Sequence, residues 1–480
     1  MTSEAREPAE ERVLIGHMVL FGATGDLAGR YLLPALAALQ HAQRLPDDLR
    51  VVGAAVEDWD DERFRAHAAE RLDNQANGAP AEARDALLRA LYYRRVDFAD
   101  TSSVAAAVAA LDAPADPVAA YLALPTGPMP AAIRALNEIG LPPGSRIAVE
   151  KPFGEDLQSA RSLNALLAEA VGSDGEQAVF RVDHFLGLAP VQNLLGLRLA
   201  NPIVDVLWNS RHVERIEIVW EETLALEGRA SFYDHAGALR DVVQNHLMQV
   251  LCLVAMEPPA DVRMDLRDRK LDVLRAVRPL EPEAIASRTR RARYTAGRIG
   301  GLAVPDYAAE EGVDPERCTE TFAEITLELD SERWTGTPFV LRAAKAMGRD
   351  RMEVAVRFRA ADRLPFPDGA GKATPDELRI GLDEPGYLRL CLTGTTPGPP
   401  LHLTPMLLAG HLRAWDLPEY GRVLHNLLSG DSTLSVRGDE AEEAWRILDP
   451  VLTAWEEGRV PLEGYPAGSE GPVGSEGPLR

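Results

Sequence analysis

The stretch His17-Met-Val-Leu-Phe-Gly-Ala-Thr-Gly-Asp-Leu-Ala28 decides how the first part of this chain folds. An unbroken apolar run after His17 suits a strand covered on both faces. The run stops at Gly22, Gly25 follows, and then comes Arg30-Tyr-Leu-Leu-Pro-Ala-Leu36, which favours a helix. Strand, glycine turn and helix in that order open a dinucleotide-binding βαβ unit. Glycines let the backbone approach a pyrophosphate, and the helix N-terminus stabilises its charge. The bare spacing also occurs where glycines merely close a turn, so the reading leans on its surroundings.

Those surroundings agree. Arg50-Val-Val-Gly-Ala-Ala-Val56 reads as a second strand, Ala119–Leu124 as a later one ending at Pro125, and Arg146-Ile-Ala-Val-Glu-Lys-Pro152 as another, with helical patterns between them. This alternation predicts a doubly wound parallel sheet. After about residue 180 the pattern changes: Val213–Trp220, Thr321–Leu329 and Met352–Phe358 alternate apolar and polar, as half-buried strands do. Such strands suit a large, mostly antiparallel sheet. Between them, apolar residues at 239, 242, 243, 247, 250, 251 and 254 predict a helix over Leu239–Val254. The expected class is α/β plus α+β: a Rossmann-type dinucleotide-binding domain over 1–180, then a β+α substrate-binding and oligomerisation domain over 181–480. The Glu- and Ala-rich first fifteen or so residues, and the Gly/Pro-rich tail from Tyr465 with its near repeat beginning at Gly468 and Gly474, read as irregular.

Composition sets the outer limits. A chain of 480 residues is too long for one core. Hydrophobic residues at 46% and charged ones at 26% describe an ordinary globular protein. The net charge of -23 argues against nucleic acid or an anionic membrane as partner. The three cysteines, Cys252, Cys318 and Cys391, lack metal-ligand spacing, so no metal is expected. No apolar signal region opens the chain and no run nears the roughly 20 apolar residues of a membrane span. The expectation is a cytoplasmic enzyme.

Five motifs then fall in a recognisable order: Gly22-Ala-Thr-Gly-Asp-Leu-Ala28, Glu150-Lys-Pro-Phe-Gly154, Arg181-Val-Asp-His-Phe-Leu-Gly187, Arg240-Asp-Val-Val-Gln-Asn-His246 and Pro338-Phe-Val-Leu-Arg-Ala-Ala-Lys345. Together they resemble the glucose-6-phosphate dehydrogenase family over nearly the whole chain. The resemblance implies a sugar 1-dehydrogenase that yields a lactone, built as a homodimer or homotetramer, with the sugar held between the two domains. It makes His246 the general base and Asp183 its carboxylate partner. Histidine suits the task because the residue type titrates near pH 6.5. On spacing alone, a histidine toward the apolar side of a helix is more often a core residue; the motif reverses that reading. The resemblance also assigns Lys151, His184, Glu222, Asp241 and Lys345 to the sugar, and Gly22, Thr24, Gly25, Asp26, Leu27 and Lys151 to the cofactor.

The departures from the family pattern are as informative. Tyr31, Leu188 and Asp350 stand where the family carries basic residues, and Phe185 where it carries a tyrosine. A phosphate dianion needs charge-assisted partners, so the pocket is expected to take a glucose-like pyranose without the usual 6-phosphate. The alternative is authentic glucose-6-phosphate dehydrogenase chemistry, with His184, Arg349 and Arg351 on the phosphate. A third possibility is a catalytically silent sugar- or cofactor-binding regulator. Val56-Glu57-Asp58 replaces the arginine that meets the 2′-phosphate of NADP. Glu57 at that point would accept from a free ribose hydroxyl, which makes NAD the expected cofactor, with NADP possible.

Overall fold

A computed structural model describes residues 14–75, 79–226, 228, 230–361, 363–366, 370–396, 402–413 and 417–474. Most of the N-terminal stretch read as irregular, and the second tail repeat beyond Gly474, lie outside the described residues. The chain divides into two compact units. The first comprises Met1–Phe153, Arg161–Gly187 and Leu417–Gly438, and the second Gly154–Ala160, Leu188–Asp416 and Asp439–Arg480.

In the first unit, β1 (His17–Phe21), β2 (Arg50–Ala55), β3 (Leu91–Arg95), β4 (Val118–Leu122), β5 (Arg146–Glu150) and β6 (Val179–Val182) form one sheet in the order β3-β2-β1-β4-β5-β6. Every neighbouring pair is parallel. All of β4 is buried and β1 is buried after His17, as expected for strands with helices on both faces. The strand order reverses between β1 and β4, which places the ligand crevice outside their C-terminal ends. Gly22 leaves β1 there with φ +78°, and a Cβ on it would lie 2.2 Å from the Ala123 carbonyl oxygen. Only glycine fits.

A late segment completes this unit. The helix Glu419–Ser429 buries Leu424, Leu427 and Leu428 in the same core as Met18 and Leu20 of β1. Polar bonds fix it further: the Ile15 N–H donates to the Leu428 carbonyl at 2.9 Å, and Arg146 donates to the carbonyls of Leu427 and Leu428 at 2.7 and 2.6 Å.

The second unit is built on β7 (Val213–Glu221), β8 (Thr289–Thr295), a small hairpin of β9 (Gly297–Ile299) and β10 (Leu302–Val304), then β11 (Phe322–Leu327), β12 (Phe339–Ala344), β13 (Arg351–Phe358), β14 (Glu377–Gly381), β15 (Tyr387–Thr396), β16 (His402–His411) and β17 (Leu462–Pro466). Nine of these form a sheet in the order β16-β15-β14-β13-β7-β12-β11-β8-β17, and only β7–β12 and β8–β17 pair in parallel. The helical segment Leu239–Leu247 lies against β7, β11 and β12 and continues as Met248–Ala255. The stretch Leu239–Leu247 is wound as a π-helix, a rare form frequently found at functional sites. Among the described residues, no helix is long and apolar enough to cross a membrane.

The glycine turn provides a stability test. Gly22→Ala should lower the unfolding free energy by about 2 kcal/mol or more, because both the backbone conformation and the Ala123 carbonyl oppose a side chain. Gly127→Ala, at a position with nothing within 4 Å of the added carbon, should change it by less than about 0.5 kcal/mol. Urea unfolding of the two variants checks the contrast.

Candidate active site

The turn after β1 is closed by its own backbone: the Gly25 N–H donates to the Gly22 carbonyl at 3.0 Å, and the Gly29 N–H to the Gly25 carbonyl at 3.0 Å. Helix Ala28–Leu32 begins there in π form and continues as Leu33–His41. Asp26 is exposed and pairs with Arg30 at 3.2 Å, while Leu27 occupies the N-cap position. Thr24 donates its hydroxyl to Glu57 Oε2 at 2.9 Å, tying the turn to the residue just after β2. A further hold comes from β3, where the Tyr93 hydroxyl donates to the Glu57 carbonyl at 2.8 Å. A Cβ on Gly25 would meet only the Gly22 carbonyl oxygen, at 3.1 Å. These two glycines, a helix N-terminus and an ordered carboxylate after β2 fit a dinucleotide. Arg95 ends β3, opposite Ala55 of β2, and is exposed.

At the ends of β5 and β6 stand Glu150, Lys151, Asp183 and His184. Glu150 is buried and accepts from the Tyr121 hydroxyl at 2.5 Å. Burial raises its pKa to about 7, against the lowering effects of the Tyr121 hydrogen bond and the Lys151 charge; the Asp183 carboxylate adds to the rise. Tyr420, from the late helix, also hydrogen-bonds Glu150. Its ring lies flat against His184, with centroids 5.6 Å apart and planes 17° apart, and Tyr31 lies 5.4 Å from it. His184 is therefore part of an aromatic row. Asp183 is buried and its Oδ1 accepts the Phe185 N–H at 3.0 Å. Lys151 and Leu188 are half-buried, and Phe185 is buried.

In the second unit the helix carrying Asp241 and His246 starts on a buried carboxylate. Glu320 Oε1 accepts the first N–H of the helix, from Leu239, at 3.0 Å. Gly237, with φ +68°, makes room: a Cβ there would lie 2.4 Å from that oxygen. Burial holds the Glu320 carboxyl above its usual range. Within the π segment, Asn245 accepts the His246 N–H at 2.6 Å and donates to the Arg240 carbonyl at 3.2 Å. Asp241 is half-buried, and His246 is 2% exposed.

Two other expected residues meet directly. Lys345 Nζ lies 2.6 Å from Glu222 Oε2 and 5.4 Å from the centre of the Tyr233 ring. Both ends of the pair are fixed by backbone: the Glu222 N–H donates to the Ala344 carbonyl at 2.9 Å, and the Lys345 N–H to the Thr321 carbonyl at 2.9 Å. The arginines offered as substitute phosphate ligands are engaged elsewhere. Arg351 is buried and donates twice to Glu221, at 2.8 Å each, while Arg349 lies 3.4 Å from Glu470. Asp350 accepts the Thr223 N–H at 2.6 Å, a loop-shaping task.

Comparison with known proteins shows the relationship along the full chain. The family model for the glucose-6-phosphate dehydrogenase NAD binding domain matches residues 19–193, and that for its C-terminal domain matches 195–479. The chain belongs to the glucose-6-phosphate dehydrogenase family. Among its relatives, the glucose-6-phosphate 1-dehydrogenase of Zymomonas mobilis is 35% identical over 95% of this chain and 96% of its own, and that of Gluconobacter oxydans 38% identical over 95% and 94%. A solved glucose-6-phosphate dehydrogenase in complex with its substrate glucose-6-phosphate superimposes with a TM-score of 0.87 at 29% identity, covering 97% of both chains. The enzyme from Mycobacterium avium gives 0.82 at 34% identity, over 96% of this chain and 95% of its own. Like its family, the chain is an oxidoreductase with a nicotinamide-dinucleotide domain.

Sequence reading did not single out Tyr121, Tyr420, Glu320 or Tyr233, because each acts through a neighbour distant in the chain. Glu150 allows a pH test. Its ordinary pKa is 4.5 and in the fold about 7. Between those values the folded protein keeps a proton that the unfolded chain has released, so this group lowers stability as pH rises through the window. Glu150→Gln removes the effect. Its stability relative to wild type should rise by about 3 kcal/mol between pH 4.5 and pH 8, measured by urea unfolding at several pH values. A constant difference would reject the assignment.

Proposed function

We propose that the chain is a glucose-6-phosphate 1-dehydrogenase, oxidising C1 of glucose 6-phosphate to the lactone. The observation that carries this reading is identity of 35–38% with curated glucose-6-phosphate 1-dehydrogenases over about 95% of the chain. On this reading His246 takes the proton of the C1 hydroxyl and Asp183 stabilises the charge it acquires. Lys151, Asp241, Glu222 and Lys345 hold the sugar hydroxyls, which fixes C1 in one orientation. The Glu222–Lys345 pair offers both an acceptor and a donor, and so suits a polyol. His184, stacked on Tyr420, meets the far end of the sugar. When bound, the nicotinamide supplies the acceptor for the hydride leaving C1. Gly22, Thr24, Gly25, Asp26, Leu27 and Lys151 bind the dinucleotide, and a homodimer or homotetramer completes the reading.

The relatives favour the phosphorylated sugar over the unphosphorylated one expected from the departures in sequence. The second reading keeps support from one observation: Phe185 and Leu188 offer no charge, and Arg351 is committed to Glu221. Initial rates with glucose 6-phosphate and free glucose decide between them. The main reading expects glucose 6-phosphate to have the greater kcat/KM by a factor of hundreds or more, since each hydrogen bond to a charged group contributes about 1.5–3 kcal/mol. Comparable values for the two sugars would favour the second.

His246→Asn should lower kcat by roughly 10²- to 10⁴-fold with sugar binding nearly intact. Turnover near wild type would remove His246 from the mechanism.

For the cofactor, NAD is favoured, because Glu57 is held by Thr24 as a ready acceptor for a ribose hydroxyl. Glu57→Ser should then raise kcat/KM for NADP relative to NAD. If the wild type prefers NADP, Arg95 at the end of β3 is the cation to test next.

A further inference from the structure

Three helices of the second unit bring a polar cluster into its interior. Gln249 comes from Met248–Ala255, Lys270 from Val262–Ala276 and Glu440 from Gly438–Glu456, and they are 3%, 1% and 0% exposed. Lys270 Nζ lies 2.9 Å from Glu440 Oε2 and donates to Gln249 Oε1 at 2.7 Å. Gln249 Nε2 donates in turn to Glu440 Oε2 at 3.2 Å. The amide is thus engaged at both ends.

A buried ion pair is poor ground for stability, because apolar residues of similar volume commonly do as well. Its geometry is the better clue. Gln249 lies three residues after His246, less than one helical turn away. It also sits just past the point where the π-wound segment Leu239–Leu247 gives way to ordinary α-helix. Around that joint, Val243, Leu247, Val250, Leu251 and Val254 are buried. Apolar burial is non-directional and leaves the rotation of a helix about its axis loosely specified. Hydrogen bonds are directional, and the doubly held amide removes that freedom.

We propose that Gln249, clamped by the Lys270–Glu440 pair, is a positioning residue that sets the rotation of the helix and so the aim of the His246 imidazole. The proposal rests on the reading of His246 as the base. Gln249→Met removes the amide and keeps the volume, leaving Lys270 and Glu440 paired. Its kcat should fall about tenfold or more, since misplacing a reacting group by a fraction of an ångström is costly, while KM for glucose 6-phosphate stays within about twofold of wild type. Gln249→Asn, too short to reach both partners, should fall in the same direction and stands in if the Met variant does not fold. The exchange Gln249→Glu with Glu440→Gln keeps one carboxylate, one amide and the ammonium, and should restore most of the lost kcat.

A merely structural role predicts a lower Tm with kcat unchanged. Wild-type kcat in either folded single variant overturns the clamp, and so does a folded exchange variant no faster than Gln249→Met. His246→Asn, assayed alongside, separates the two ideas. If it alone is inactive, the clamp fails and the base stands; if it keeps full turnover, the base assignment fails first.

Discussion

The bond from the Leu239 N–H to the buried carboxylate of Glu320 is the constraint on which the second unit's share of the chemistry depends. A helix leaves its first N–H groups without backbone partners, and here the start is buried, so water is not a substitute. Glu320 fills the role from just before β11, a strand the helix lies against. Gly237 leaves space for that carboxylate. Once the start is fixed, the wide winding through Leu247 determines where Asp241 and His246 stand. A three-residue polar cluster then closes the far end of the same segment.

The first unit answers a comparable problem with hydroxyls. Glu150 ends a parallel strand in a buried place where a bare carboxylate would be costly. Two tyrosines from separate parts of the chain meet it, and one of them supports His184 through ring stacking. In each unit a buried acid organises the backbone or side chains around a candidate residue without being one.

Much of the fold was legible in the sequence because its signals were local. The run after His17 gave β1 over His17–Phe21, and alternation gave β7 to within a residue. The apolar spacing from Leu239 gave a helix of nearly the right extent, but not its winding, since π and α turns share the same apolar side chains. The glycine turn and its carboxylate were legible too, and Thr24 bonded to Glu57 is the contact that joins them. What stayed hidden was commitment. Arg351 reads as an available cation beside Asp350, and only the register of β13 against β7 shows it spent on Glu221. Tyr420 lies far beyond the last motif and carried no signal at all.

The helix that bears Tyr420 has a temporal consequence. The nucleotide-binding unit lacks a buried layer of its core until Leu424, Leu427 and Leu428 arrive, and roughly 230 residues of chain intervene after Gly187. At elongation rates of about 5–20 residues per second, that interval lasts on the order of ten seconds or more. During synthesis the early sheet must wait with an apolar face uncovered, and an incomplete chain ending before the late helix would keep that face exposed. The early strands are thus among the last to be covered, which ties maturation of their unit to synthesis of the distant helix Glu419–Ser429.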